Sequence, residues 1–313
     1  MPTFSLYLVG ALCAGAMGFA IQYGATCTVA AVEEILATGT ANRLAALIEA
    51  ALWVGCGVAL AHQFAPTLYM GQGYAIGWTT IAGGVLLGIG AFINRACVFG
   101  SIARIGSGEW AFVFTPVGYF LASVVAAHLV ALPRSTALTA PPLLLAAPRW
   151  LVAALALLCS VRIVQIVARA ALNRPIPAAL HPHLGTLLIG ATFLVMLLSA
   201  GMWTYVDVLA DIARHGMAPN AVFRLVLLAM LIAGTIIGGW LSGRLAPQTP
   251  SAAAVLRCLA GGAIMCLGGQ LIPGQNDGLI LIGMPLLWPY AWLAFAVMVI
   301  TIAAAMLAAA RQN

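Results

Sequence analysis

An all-α integral membrane fold of about nine transmembrane helices plus four short re-entrant half-helices, in two inverted repeats, is what this sequence predicts on three observations. The 313 residues are 64% hydrophobic and 6% charged, against roughly 25% charged in soluble domains. Apolar runs of the roughly 17 to 25 residues needed to cross a bilayer recur from end to end. A glycine-rich octet, Gly83-Gly84-Val85-Leu86-Leu87-Gly88-Ile89-Gly90, returns as Gly261-Gly262-Ala263-Ile264-Met265-Cys266-Leu267-Gly268 at an offset of 178 residues, and the same offset pairs Gly100 with Gly278.

Length and breaker residues place the spanning helices at 4–22, 43–61, 77–93, 110–132, 148–171, 184–202, 221–243, 253–272 and 286–309. The first begins in MPTFSLYLVGALCAGA, which lacks a basic n-region, and Leu12 before Cys13 does not fit a lipoprotein cleavage site. It therefore reads as a membrane helix and not as a leader. Four apolar segments are too short to span: Cys27 to Thr38, Cys97 to Ile105, Tyr205 to Arg214 and Asp277 to Met284. Each follows a Gly-containing or polar break, which favours half-helices dipping into the membrane. The octets fall in the third and eighth spans, which run in opposite directions, so the chain divides as a single transmembrane domain, 1–313. The first repeat is 1–132, a linking helix and loop occupy 133–183, and the second repeat is 184–313. Broken helices at matching positions of inverted halves point to a substrate site near the membrane midplane.

The net charge of +6 comes from 13 arginines and no lysine. They are spread singly, which excludes the clustered basic patch of a nucleic-acid binder. Arg43, Arg95, Arg104, Arg169, Arg174, Arg244, Arg257 and Arg311 share one side of the predicted topology, whereas Arg134, Arg149, Arg214 and Arg224 share the other. An excess of arginine in retained loops then puts the N-terminus outside and the C-terminus inside.

Two breaks carry the chemistry. Gly18 to Cys27 (GFAIQYGATC) ends a helix in polar groups, including Gln22, and opens a new segment at the cysteine. Phe92 to Ser101 (FINRACVFGS) repeats the pattern with Asn94, Arg95 and Cys97. A thiol at the start of a half-helix meets free backbone N–H groups that favour an anion, so it can hold a soft sulfur atom while the amides hold oxygens. The plainer alternative is two buried, inert cysteines. Arg95 is costly at membrane depth unless it meets water, a partner or a ligand; snorkelling from a helix end is the alternative. Glu33, Glu34 and Glu49 suit pairing with Arg43 or proton handling. In the second half Gly274-Gln275-Asn276-Asp277-Gly278 occupies a break, with Gln275 the 178-residue partner of Cys97, while Asp207 reads as a helix cap. Cys13, Cys56, Cys159, Cys258 and Cys266 read as apolar filling. No CxxC pair and no zinc or haem spacing is present, and the five histidines form no cluster, with His181-Pro182-His183 read as a loop. No catalytic residue, metal or cofactor is expected.

The stretches GFAIQYGATC, GGVLLGIGAFINRACVFGS and GGAIMCLGGQLIPGQNDGLILIGMP resemble the motifs of the YeeE/YedE family of sulfur-compound transporters over nearly the whole chain. The resemblance implies nine spanning and four short helices around a central hourglass-like pore, in a bacterial inner membrane. It implies thiosulfate as the leading substrate, passed along pore cysteines, with Cys27 and Cys97 matching the first two. The third falls near Gln275 or Asn276, where this chain has no cysteine. The expected pathway is therefore Gln22, Cys27, Asn94, Arg95, Cys97, Gln275, Asn276 and Asp277, and the expected partners are a small sulfur-containing anion, the lipid bilayer and a small cytosolic sulfurtransferase-like protein. Three alternatives stand beside thiosulfate transport: another sulfur or selenium species, a docking subunit for a cytosolic sulfur carrier, and a membrane thiol oxidoreductase, against which the missing CxxC argues.

Overall fold

A computed structural model describes residues 4–64, 71–130, 132–133, 135–173, 181–218 and 220–312. Among them regular structure is helical, apart from isolated bridges Tyr74 to Ala137 and Glu109 to Gln248. The helices are α1 (Phe4–Gly24), α2 (Thr28–Thr38), α3 (Asn42–Phe64), α4 (Trp78–Asn94), α5 (Val98–Gly106), α6 (Phe114–His128), α7 (Arg149–Leu172), α8 (His181–Ala200), α9 (Tyr205–His215), α10 (Ala221–Leu241), α11 (Ala252–Leu271), α12 (Asn276–Gly278) and α13 (Pro289–Ala310). A π-helical turn, Leu279–Gly283, continues α12. Nine helical stretches among the described residues are long and apolar enough to cross a membrane, so the chain is a multi-pass membrane protein.

The expected elements appear with shifted ends. The fourth span, expected at 110–132, opens with a 3-10 turn at Trp110–Val113 and its helix stops at His128. Pro133, Pro141, Pro142 and Pro148 follow within twenty residues, and each removes a backbone donor and disfavours helix in the residue before it. His181-Pro182-His183 is not a loop: α8 starts at His181, with proline in the first turn, where its missing N–H costs nothing. Arg134 and Arg174, two of the arginines used for orientation, lie outside the described residues.

Helix pairing rests on small residues. α1 packs on α8 and α10, α3 on α8, α4 on α11 and α13, and α6 on α11. A Cβ added at Gly90 would lie 2.7 Å from the Met265 nitrogen and 2.9 Å from the Gly261 carbonyl, and one at Gly83 would lie 2.8 Å from the Gly268 carbonyl. Those two contacts make α4 and α11 cross antiparallel with their backbones nearly touching. In a bilayer such close approach is a main source of helix association, because lipid is as apolar as leucine.

α7 packs chiefly on α3, with a smaller contact to α8. Glu49 of α3 ties the three together: its Oε1 accepts from Arg162 Nε at 2.9 Å and Nη2 at 2.7 Å, and its Oε2 lies 2.7 Å from His183 Nδ1. Arg43 pairs instead with Glu34 at 3.6 Å.

Candidate substrate pathway

The short helices begin where the preceding helix cannot continue. Ala25 at φ 46° and Arg95 at φ 62° adopt the left-handed conformation two residues before Cys27 and Cys97. This is a strained choice for a residue with a Cβ. The cysteines then take the N-cap positions of α2 and α5, in extended backbone. Asn94 locks the second break: its Nδ2 donates to the Ala96 carbonyl at 2.7 Å and to Ser101 Oγ at 2.8 Å, while its Oδ1 accepts from the Thr115 hydroxyl at 2.8 Å. With all of these positions engaged inside the fold, its side chain holds the turn in shape.

The two thiols come together although 70 residues separate them. Their side chains face each other, with the amides of Val29 and Ala30 directed at the Cys27 sulfur and that of Gly100 at Cys97. The Thr28 N–H donates to Cys97 Sγ at 3.2 Å. Gly100 is required here, because a Cβ at that position would collide with the Cys27 side chain. Both thiols are free, and Cys97 has no solvent exposure.

In front of Cys27 lies a cavity of about 230 Å³, lined among others by Gln22, Gly100 and Ser107, by Arg43, Arg95, Arg104 and Arg244, and by Glu33 and Glu109. Three of the arginines are engaged. Arg104 pairs with Glu109 at 2.7 Å. Arg43 donates to the Ala25 carbonyl at 3.3 Å, and Arg244 to the Gln22 and Tyr23 carbonyls at 3.2 and 3.4 Å, all at the C-terminal end of α1 or just beyond it. Among the described residues the Arg95 guanidinium has no hydrogen bond or ion pair. It is exposed at the cavity, so its charge is available to an entering anion.

The second half meets the thiols through Thr28, whose hydroxyl donates to Asn276 Oδ1 at 3.4 Å. Gln275, the N-cap residue of α12, and Asn276 are 4% and 0% exposed, and the structure leaves Gln275 Oε1 and Asn276 Nδ2 without partners. Asp277 is buried beside them, its Oδ1 accepting from the Gly278 N–H at 2.9 Å. At the other break of this half the N-cap is Thr204, whose hydroxyl accepts from the Asp207 N–H at 3.3 Å; Asp207 stands three residues into the box and is not itself the cap.

Gln22, Cys27 and Arg95 thus share the cavity, while Cys97 lies behind Cys27 and is linked to Asn276 through the buried Thr28. Sequence reasoning missed Thr28 and Arg244 as parts of this site. Arg244 carried only the general signal of a helix-end arginine, and Thr28 only its place after the break.

Apolar helices long enough to cross a membrane, with short segments that start at neighbouring thiols behind an arginine-lined cavity, define a polytopic membrane protein. The family model for sulphur transport matches residues 23–304, and the chain belongs to that family. No curated protein matches it significantly.

Proposed function

We propose that the protein carries a small sulfur-containing anion, with thiosulfate the leading substrate, through a path between two inverted halves, in a bacterial inner membrane. The observation that carries this reading is the meeting of Cys27 and Cys97 at the starts of α2 and α5, behind the cavity that holds Arg95. Arg95 draws the anion in. The thiols hold its terminal sulfur, and the first-turn amides and the second-half side chains hold its oxygens. Sulfate, with a fourth oxygen in place of the soft sulfur, is then a poor substrate.

The inverted arrangement is supported by a correspondence of α1 to α6 with α8 to α13. Exchanging the halves turns the α1–α10 contact into α3–α8, α4–α13 into α6–α11, and α6–α9 into α2–α13, while α1–α8 and α4–α11 map onto themselves. The Gly83–Gly268 and Gly90–Gly261 contacts interchange under the 178-residue offset. Cys97 corresponds to Gln275 at that offset, Cys27 to Thr204 at 177, and the positive-φ glycine caps Gly39 and Gly216 also match at 177. In the second half a hydroxyl and an amide thus replace two thiols, so the path is lined by sulfur on one side and by oxygen and nitrogen on the other. The gathering of Arg43, Arg95, Arg104 and Arg244 at one mouth supports a cytoplasmic location for that mouth and an outside N-terminus.

The test is thiosulfate-dependent growth of cells that lack their own sulfur uptake. Wild type should restore growth and Cys97→Ala should not; equal growth with both removes the thiol from the mechanism. Uptake of labelled thiosulfate, sulfite, selenite and sulfate into proteoliposomes ranks the substrates.

A further inference from the structure

We propose that Asp277 binds a proton that crosses with the sulfur anion, which makes this protein a proton-coupled carrier; the inference rests on the anion path proposed above. Asp277 is 2% exposed, and no arginine or histidine bonds to it among the described residues. A carboxylate at membrane depth without a cation is costly, and such residues in transporters commonly handle protons.

The groups that face it deepen the problem. From α9 come Asp207 and Tyr205, and from α6 Tyr119; Tyr205 also neighbours Cys97 at the head of α5. The Thr204 hydroxyl, which donates to Asp207 Oδ2 at 2.7 Å, also lies beside Asp277, so two acids share one hydroxyl. From α13 Tyr290 donates to the Pro273 carbonyl at 3.3 Å. On α3, which packs against the π turn, Arg43 and Glu49 are taken up by Glu34 and by Arg162 with His183. Arg224 and Arg214, the two arginines that act on Asp207, are taken up by Asp211 and by the Gln270 side chain. Among the described residues no cation bonds to Asp277, the charged group beside it is the acid Asp207, and a proton is the smallest cation that can neutralise it.

The second observation is the adjoining pair of unpartnered groups, Gln275 Oε1 and Asn276 Nδ2. They leave one acceptor and one donor in the same break, fit for a protonated carboxyl on one side and an anion oxygen on the other. Asn276 is linked through Thr28 to Cys97, so an anion held at the thiols sits next to Asp277. In that low dielectric the anion and a carboxylate exclude each other, whereas the anion and a neutral carboxyl do not. Proton binding and anion binding must then strengthen each other by the same factor. Entry of a multiply charged anion against an inside-negative potential gains from each proton carried with it.

The experiment uses proteoliposomes of the full chain with a trapped pH dye and labelled thiosulfate. Wild type should move protons with thiosulfate and accumulate it at least tenfold when the outside is made acid. Asp277→Asn should move no protons and lose the accumulation. Asp277→Glu should keep both, which separates loss of the proton site from loss of fold. Thiosulfate uptake by wild type that moves no protons, or that needs sodium instead, overturns the proposal, as does a coupled Asp277→Asn. Should wild type take up no thiosulfate at all, the substrate reading falls, and Asp277 is then read by infrared spectroscopy. A protonated carboxyl band present in wild type and absent from Asp277→Asn upholds the proton site; the same spectrum in both sinks it.

Discussion

Arg95 shows how one residue can serve the break and the substrate together. Its backbone takes the left-handed turn that ends α4, and its side chain brings an unpaired charge to the cavity. Arg95→Gln should therefore raise the KM for thiosulfate about tenfold, a loss of about 1.4 kcal/mol in binding, with kcat little changed; initial uptake rates across a concentration series measure this. Added salt should weaken wild type more than the variant, because screening acts on the charge that was removed. At this scale Cys27, Cys97 and Arg95 were legible in the sequence, since a break followed by a cysteine is a local pattern. Thr28 was not, because its partners Cys97 and Asn276 stand 69 and 248 residues away. Asn94 was legible as a polar residue at the break, but its bonds to Ala96, Ser101 and Thr115 turn it toward the fold.

At the scale of elements, the helices were readable from hydrophobic length, and their errors lie at the ends, where proline and capping decide. Tertiary pairing decides what the glycines are for. Gly90→Leu would place a side chain against the α11 backbone, and should cost at least about 3 kcal/mol, seen as a lower melting temperature in detergent and a loss of folded protein. α7 has little helix packing to hold it, so its Arg162–Glu49–His183 contacts weigh heavily. Glu49→Gln should destabilise the protein by about 2 kcal/mol, less than the loss from a fully buried pair because Arg162 is partly exposed. Thermal unfolding of the purified variant checks this, and an unchanged midpoint would mean that α7 is held by apolar contact alone. The sequence offered Glu33, Glu34 and Glu49 alike to Arg43, because nothing local distinguishes them; the structure gives Arg43 to Glu34, and the packing of α3 on α7 and α8 gives Glu49 to Arg162 and His183.

For the whole molecule, the nine candidate spans among the described residues, an odd number, predict termini on opposite sides of the membrane. A reporter that fluoresces only in the cytoplasm should light when fused after Asn313 and stay dark when fused before Met1; the reverse pattern would invert the topology and move the arginine-lined mouth outside.

The sequence by itself determined that this chain lives in a membrane, roughly where its helices run, and which breaks carry thiols. Those are properties of apolar length, glycine and proline, which act over a few residues at a time. Only the tertiary structure decided that Cys27 and Cys97 face each other, that four arginines share one cavity, and that Asp277 sits beside Asp207 with no cation bonded to it among the described residues. Such facts depend on helices far apart in the chain crossing closely enough for glycine backbones to touch, and no local pattern encodes which crossings those are.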